Sequence, residues 1–149
     1  MKKIIYFIIC CLVFTGCNSI NVEINNDNNI KTNIVEEEVK SMKVIIEEKE
    51  YILNLEDNET VKALIKLLPQ EFKMNELNGN EKYVYLDNIL PTNSENPKRI
   101  NKGDVMLYGN NCLVIFYKTF DTSYSYTKIG HIDNLSELGN NNVSVIFKK

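Results

Sequence analysis

The sequence lacks most of the residues that catalytic sites require. Its 149 residues include no tryptophan, a single histidine (His131) and a single arginine (Arg99). A Ser-His-Asp or Cys-His arrangement would depend on His131 as its only imidazole base, and the chain contains no nucleophile-elbow motif. Cys112 lies in an apolar run, without the positive surroundings that activate a thiol. These absences argue against hydrolase chemistry.

Metal, phosphate and nucleic-acid sites are not indicated either. No two cysteines or histidines have the spacing of a zinc site, and the six glycines are spread over the chain without forming a phosphate-binding loop. The formal net charge is −3, whereas binding to nucleic-acid phosphates needs a basic face. We therefore predict no metal, no cofactor and no nucleic-acid partner.

The N-terminus has the form of an export signal. Two lysines follow Met1, residues 4–14 are uncharged and apolar, and Gly16 precedes a cysteine, Cys17. The apolar stretch is shorter than a segment that spans a ~30 Å hydrocarbon core. This end resembles the lipobox of bacterial lipoproteins, which implies cleavage after residue 16 and acylation of Cys17. We expect a signal peptide at residues 1–16 and a lipid anchor on the extracytoplasmic face of the cell membrane. An uncleaved anchor and a plain secreted protein are the alternatives.

The next segment, residues 17–41, is polar and has no regular apolar period. It contains an Asn-rich stretch at residues 25–29 and three consecutive glutamates at residues 36–38. A segment of such low hydrophobicity cannot offset the entropy lost on ordering its chain. We predict a flexible tether that places the domain on the order of 25–30 Å from the membrane.

Residues 42–149 have the pattern of one strand-rich domain. Two β-rich runs around a polar turn predict a hairpin over residues 42–55. Asp57 or Asn58 can cap a helix that Pro69 ends, because the apolar residues between them recur at helical spacing. The apolar run at residues 112–117 predicts a central strand covered on both faces. About eight short strands and one good helix indicate a mainly β barrel or sandwich.

Aromatic residues, concentrated in the second half of the domain, are the remaining functional signal. Tyrosine combines a rigid apolar ring with a polar hydroxyl, which suits a groove for a peptide or small molecule. Tyr124 and Tyr126 lie on one face if their segment is extended, and their polar surroundings fit core packing and ligand contact equally. We expect Tyr108 and Tyr117 to pack in the core, and Cys112 to be a small buried residue without a disulfide partner.

Four segments resemble the bacterial cyclophilin-like domain family. They are MNELNGNEKY at 74–83, GDVMLYG at 103–109, CLVIFYK at 112–118 and SYSYTKIG at 123–130. The resemblance runs in order through residues 42–149. It implies a closed antiparallel β-barrel of about eight strands with one helix covering a barrel end, which agrees with the strand pattern.

The resemblance leaves the activity open, because a fold does not determine function. Cyclophilins are peptidyl-prolyl isomerases in which an arginine after a Phe-His pair hydrogen-bonds the prolyl region. The nearest match here is Phe72-Lys73-Met74, and lysine does not reproduce the planar donors of arginine. The usual groove tryptophan is also absent. The resemblance therefore implies a binding groove with a reduced set of catalytic groups.

We favour a membrane-anchored binding module for a peptide or small ligand, without efficient catalysis. The predicted groove is lined by aromatic and thioether side chains with two polar contacts: Phe72, Met74, Tyr83, Phe120, Tyr124 and Tyr126, with Arg99 and His131. One alternative is a prolyl isomerase that assists the folding of exported proteins. Another is an assembly lipoprotein that docks a partner through a sheet edge.

Overall fold

The computed structural model describes residues 39–149. The predicted signal peptide, Cys17 and most of the predicted tether lie outside the described residues. The first strand begins at Ser41, one residue before the start that the sequence pattern predicts.

Ten strands and one helix make up the domain. In chain order they are β1 Ser41–Ile46, β2 Lys49–Leu55, α1 Glu59–Lys66, β3 Gln70–Leu77, β4 Glu81–Tyr85, β5 Arg99–Ile100, β6 Asp104–Tyr108, β7 Cys112–Phe116, β8 Phe120–Asp121, β9 Thr127–Ile132 and β10 Val143–Lys148. Eight of the strands form a closed barrel in the order β1-β10-β3-β4-β7-β6-β9-β2, and β5 and β8 form a separate two-stranded sheet. All pairs are antiparallel. The predicted closed antiparallel barrel with a single helix is confirmed.

The helix α1 begins where the sequence predicts. Asn58 is the N-cap, and its side-chain oxygen accepts a hydrogen bond from the Val61 backbone N–H at 2.9 Å. Val61 and Leu64 are buried and join the main core cluster. The helix therefore contributes its apolar stripe to the same core that the strands enclose.

The barrel interior is filled by alternate residues of the surrounding strands. This interior cluster includes aliphatic, thioether and aromatic side chains, among them Val44, Leu53, Met74, Leu113, Ile115 and Phe147. Lys82 on β4 is completely buried as well. Its Nζ donates hydrogen bonds to the carbonyl oxygens of Gly139 (2.6 Å) and Asn141 (2.8 Å), and lies 4.7 Å from the centre of the Tyr117 ring. A charged group therefore holds the segment before β10 from inside the barrel.

The strand β7 is buried on both faces, as the apolar run predicts. Leu113 and Ile115 face the barrel interior. On the outer face, Cys112, Val114 and Phe116 belong to a second apolar cluster with Ile100, Met106 and Tyr126. Segments of the chain between β4 and β9 therefore cover part of the outer barrel wall at β7.

The closed barrel limits where a partner could dock through a sheet edge. Each of the eight barrel strands is hydrogen-bonded on both sides, and closure of a barrel removes its edges. Within the described residues, the short β5–β8 sheet is left as the sheet through which strand pairing with a partner could occur.

Candidate ligand-binding site

The outer face of β4, β7 and β6 carries a group of aromatic side chains. Tyr85 pairs with Cys112, and Cys112 pairs with Tyr108, so that these side chains form one row across three strands. Tyr83 and Val114 form part of the next row. Tyr83 and Tyr85 contact each other edge-to-face with ring centroids 5.9 Å apart. We call this region, with the rings that lie over it, the outer aromatic surface: Tyr83, Tyr85, Tyr108, Phe120, Tyr124 and Tyr126.

The segment from β8 to β9 places three rings over this wall. Tyr126 contacts Phe116 and Tyr108, with centroids 5.5 Å apart in both pairs. Tyr124 contacts Tyr108 edge-to-face at 6.1 Å, and Phe120 contacts Phe116 at 5.7 Å. These contacts fix the rings relative to one another, which reduces the entropy that binding would otherwise cost.

The rings differ sharply in exposure. Tyr126 is only 8% exposed, whereas Tyr85, Tyr108 and Tyr124 are 65%, 45% and 61% exposed. The sequence fits core packing and ligand contact equally for Tyr124 and Tyr126. The structure shows core packing for Tyr126, whereas Tyr124 faces solvent. The expectation of core packing is confirmed for Tyr117, which is buried, and is wrong for Tyr108, because the residue lies at the end of β6 where the covering segment leaves it open.

A cleft of about 230 Å³ adjoins the outer aromatic surface at Tyr126. Tyr126 and Met106 are its buried apolar residues. The other lining residues are mostly polar: Glu56, Asn58, Asn93, Glu95, Asn96, Pro97, Thr127 and Lys128. Glu95 and Tyr126 exchange two backbone hydrogen bonds of 2.9 Å, and Lys128 pairs with Glu56 at 2.8 Å. These bonds hold the walls of the cleft together.

Two of the predicted groove residues lie elsewhere. Met74 is 0% exposed inside the barrel, and Phe72 points to the same interior, where its ring contacts Phe147 at 6.0 Å. The barrel wall separates both side chains from the outer aromatic surface. The predicted groove is therefore corrected: alternation along β3 places Phe72 and Met74 inward and Lys73 and Asn75 outward.

The two predicted polar contacts have other partners. Arg99 on β5 is opposite Asp121 on β8, and their side chains form an ion pair at 2.7 Å. His131 lies on β9, with its Nδ1 2.9 Å from Oδ1 of the buried Asp104. Asp104 precedes Tyr108 by four residues, about 13 Å along an extended strand. The fold thus brings together four of the predicted groove residues: Tyr83, Phe120, Tyr124 and Tyr126. Arg99 lies at the neighbouring strand pair, and His131 lies further away.

Burial also changes the acid–base properties of this face. It raises the pKa of the Cys112 thiol to about 11, with a smaller contribution from the negative charge of Glu81. Burial likewise raises the pKa of Tyr126, and Glu81 adds to the effect. The pKa of Glu81 itself is raised by burial first and by Glu76 second. A partly buried negative charge therefore lies close to the rings. No local pattern indicates it, because Glu81 has the sequence surroundings of an ordinary solvated glutamate.

Among the described residues there is neither a metal-binding cluster nor a helix that could span a membrane. No three His, Cys, Asp or Glu side chains within residues 39–149 are grouped so that they could hold a metal ion. Over the same residues, no helix has the length and apolar character that crossing a bilayer would need.

A family model described as the cyclophilin-like family matches residues 44–148. This match covers the whole barrel from β1 to β10. The chain belongs to the cyclophilin-like family. Among solved structures, the solution structure of a hypothetical protein from Archaeoglobus fulgidus is similar, with 20% sequence identity and a TM-score of 0.48; the alignment covers 73% of this chain and 93% of that one. No curated protein matches the chain.

As a cyclophilin-like domain, this chain departs from the isomerase pattern at the position that the sequence resemblance identified. Lys73 lies on β3 between the inward-facing Phe72 and Met74 and is exposed on the outer face. It is therefore on a different strand from the rings of β4 and β6. The single arginine of the chain, Arg99, lies on β5, which pairs with the β8 strand that carries Phe120.

Proposed function

We propose that this cyclophilin-like domain is a binding module that holds a peptide or small ligand on its outer aromatic surface. The observation that carries the proposal is the exposure of Tyr85, Tyr108 and Tyr124, three large rings that a folded domain would otherwise tend to bury. Ring contacts hold Tyr108 and Tyr124 in place. Such rings offer rigid apolar area and polar hydroxyl tips at low entropic cost.

The size of the cleft favours an extended ligand. A pocket for a drug-sized molecule usually has a volume of roughly 300–1,000 Å³, and the cleft beside Tyr126 has about 230 Å³. It suits one side chain or ring of a larger ligand. The remainder of that ligand would lie across Tyr108 and Tyr124, which adjoin Tyr126 through ring contacts.

The experiment is a titration of the full-length protein with proline-containing peptides, followed by backbone amide shifts. Binding at this surface should shift residues of β6, β7 and the segment before β9, and Tyr124→Ala should weaken it while the melting temperature stays within a few degrees. Ile52→Ala is the matched control, since Ile52 is an exposed apolar residue on β2, across the barrel from β7. Equal affinity in wild type and Tyr124→Ala would refute the proposal.

We further propose that binding occurs without efficient prolyl isomerisation. The support is the state of Arg99, whose guanidinium is paired with Asp121 and would have to leave it to reach a prolyl bond. A protease-coupled assay on an Ala-Pro peptide should show isomerisation on the uncatalysed scale of roughly tens of seconds. A faster rate that is lost in Arg99→Lys would establish the alternative, an extracytoplasmic prolyl isomerase.

The membrane anchor is the remaining part of the proposed function. Its support is the sequence around Cys17, in which a basic start and an apolar stretch precede a small residue and the cysteine. A diacylglyceryl group on Cys17 would anchor the chain firmly, since two acyl chains hold where one is marginal. Mass spectrometry should find the lipid on Cys17 of the membrane-bound protein. Cys17→Ser should release the protein from the membrane, whereas Cys11→Ser should leave it attached.

A further inference from the structure

Glu81 occupies a specific place on the outer aromatic surface. It is the first residue of β4, and its side chain faces outward because Lys82 and Val84 face the barrel interior. Tyr83 lies two residues further along the same face. Across the strand pair, Glu81 is opposite Phe116, whose ring contacts Phe120. The carboxylate therefore lies on the same outer face as Tyr83 and Phe116, and Phe120 packs against Phe116.

The Glu81 carboxylate has no partner of its own within residues 39–149. It is half-buried, yet none of the hydrogen bonds or ion pairs of the described residues involves its side chain. Two cations in this part of the fold are already engaged, and the Nζ of a third, Lys118, lies 5.9 Å from the centre of the Tyr117 ring. Arg99 pairs with Asp121, and Lys82 donates its hydrogen bonds inside the barrel.

An unpaired, partly buried carboxylate is costly, because burial penalises the charged form unless a cation or donor compensates it. Burial accordingly raises the pKa of Glu81. Groups that are held in an unfavourable electrostatic environment collect at functional sites. The compensating charge is missing from the described residues, and Glu81 lies on the same face as the half-buried rings of Tyr83 and Phe120, where a bound ligand would supply it.

We propose that the ligand of the outer aromatic surface carries an alkylammonium group, which pairs with Glu81 and packs against Tyr83 and Phe120. An ammonium group within about 6 Å of a ring centre is attracted by the electrons of that ring. A carboxylate beside such rings supplies the opposite charge. This inference rests on the proposed function, since it names the chemistry of the ligand that this surface would hold.

The test compares two probes of the same shape on the full-length protein. Choline carries the quaternary ammonium group, and 3,3-dimethylbutan-1-ol is its neutral isostere. Choline should give saturable shifts of the Tyr83 and Phe120 ring signals, with a dissociation constant about tenfold lower than that of the alcohol, which corresponds to about 1.4 kcal/mol.

A matched pair of variants locates the charge. Glu81→Gln should weaken choline binding about tenfold and leave alcohol binding unchanged. Glu48→Gln makes the same change of charge in the turn between β1 and β2, on the opposite side of the barrel from β4 and β7, and should have no effect. Equal losses in the two variants would mean that only the net charge matters and would overturn the inference.

The remaining outcomes separate this inference from the proposed function. If choline and the alcohol bind equally well, the surface binds ligands without recognising charge, so the inference fails while the binding module stands. If neither probe shifts the Tyr83 and Phe120 signals, the inference also fails. The peptide titration with Tyr124→Ala then decides the proposed function by itself.

Discussion

The rings of Phe116 and Tyr126 meet at a right angle, with their centroids 5.5 Å apart. Through this contact Tyr126 covers the outer face of β7, whereas Tyr124, two residues earlier, is mostly exposed. Two neighbouring tyrosines that look alike in the sequence therefore have different roles. One packs against the barrel wall, and the other is available to a ligand.

Tyr126→Ala should lower the free energy of unfolding by about 3 kcal/mol, because truncating a buried aromatic ring leaves a cavity. Tyr124→Ala should change it by less than about 0.5 kcal/mol, as surface substitutions usually do. Urea denaturation followed by circular dichroism measures both values. Similar losses of unfolding free energy in the two variants would contradict the finding that Tyr126, and not Tyr124, belongs to the second apolar cluster.

Replacement of Lys82 by methionine tests the buried amine. Lys82→Met removes the donor to the carbonyl oxygens of Gly139 and Asn141. Unsatisfied buried acceptors cost about 1–3 kcal/mol, so the free energy of unfolding should fall by that amount. Lys128→Met is the control, since it breaks an exposed ion pair with Glu56 that is worth about 0–1 kcal/mol. An unchanged stability in Lys82→Met would show that the Nζ contacts are not needed to hold the segment before β10.

Gly130 on β9 lies close against the backbone of β2. A Cβ atom at this position would overlap the backbone oxygen of Asn54 and lie 2.9 Å from Cδ1 of Leu53. Gly130→Ala should therefore cost about 1–3 kcal/mol, the usual range for overpacking. Gly109→Asn is the control, because a side chain there meets nothing within 4 Å and Asn tolerates the positive φ of 61°. Thermal unfolding should show a clear drop for the first variant and little change for the second.

The raised pKa of Glu81 makes stability depend on pH. Burial raises the folded-state pKa above the unfolded value, so the folded protein binds this proton more tightly. The ionised group thus costs stability above the folded pKa, and the cost disappears as the pH falls through it. Glu81→Gln should raise the free energy of unfolding at pH 7, with a smaller gain at about pH 4, near the ordinary glutamate pKa. A gain in Glu48→Gln with the same pH dependence would contradict this origin.

Cys112 should be almost unreactive in the folded protein. Its thiol is buried on the outer face of β7 and has a pKa of about 11, so that roughly one molecule in a thousand is a thiolate at pH 8. Peptide mapping after brief iodoacetamide treatment should find Cys112 unmodified, and modification should become rapid in urea. Because the charge of Glu81 contributes to this pKa, Glu81→Gln should also lower it slightly. Fast alkylation of the folded protein would contradict the buried placement.

The sequence was sufficient for much of the barrel because residue alternation and turn chemistry are local. Patterns within a few residues predict three of its elements: the hairpin of β1 and β2, the cap at Asn58 and the strand β7, which is covered on both faces. The face of each strand depends on the neighbouring polar residues. On β3 these are Lys73 and Asn75, and they show why Phe72 and Met74 face inward.

The site was harder to predict because it depends on register and on inverted alternation. On β4 the lysine faces the interior and the two tyrosines face outward, which reverses the usual preference of charged side chains for solvent. The importance of Glu81 arises from its pairing with Phe116, which is distant in the sequence. Neither fact is encoded in a local pattern, because each depends on which strands meet.

The position of β10 in the barrel has a consequence for biosynthesis. This last strand lies between β1 and β3, and pairs with both. Until residues 143–148 have emerged during translation, the two earlier strands have no neighbour at that place, and their backbone groups stay open to other chains. Completion of the wall is therefore a late step, and a polypeptide that stops at Asn142 should be prone to aggregate.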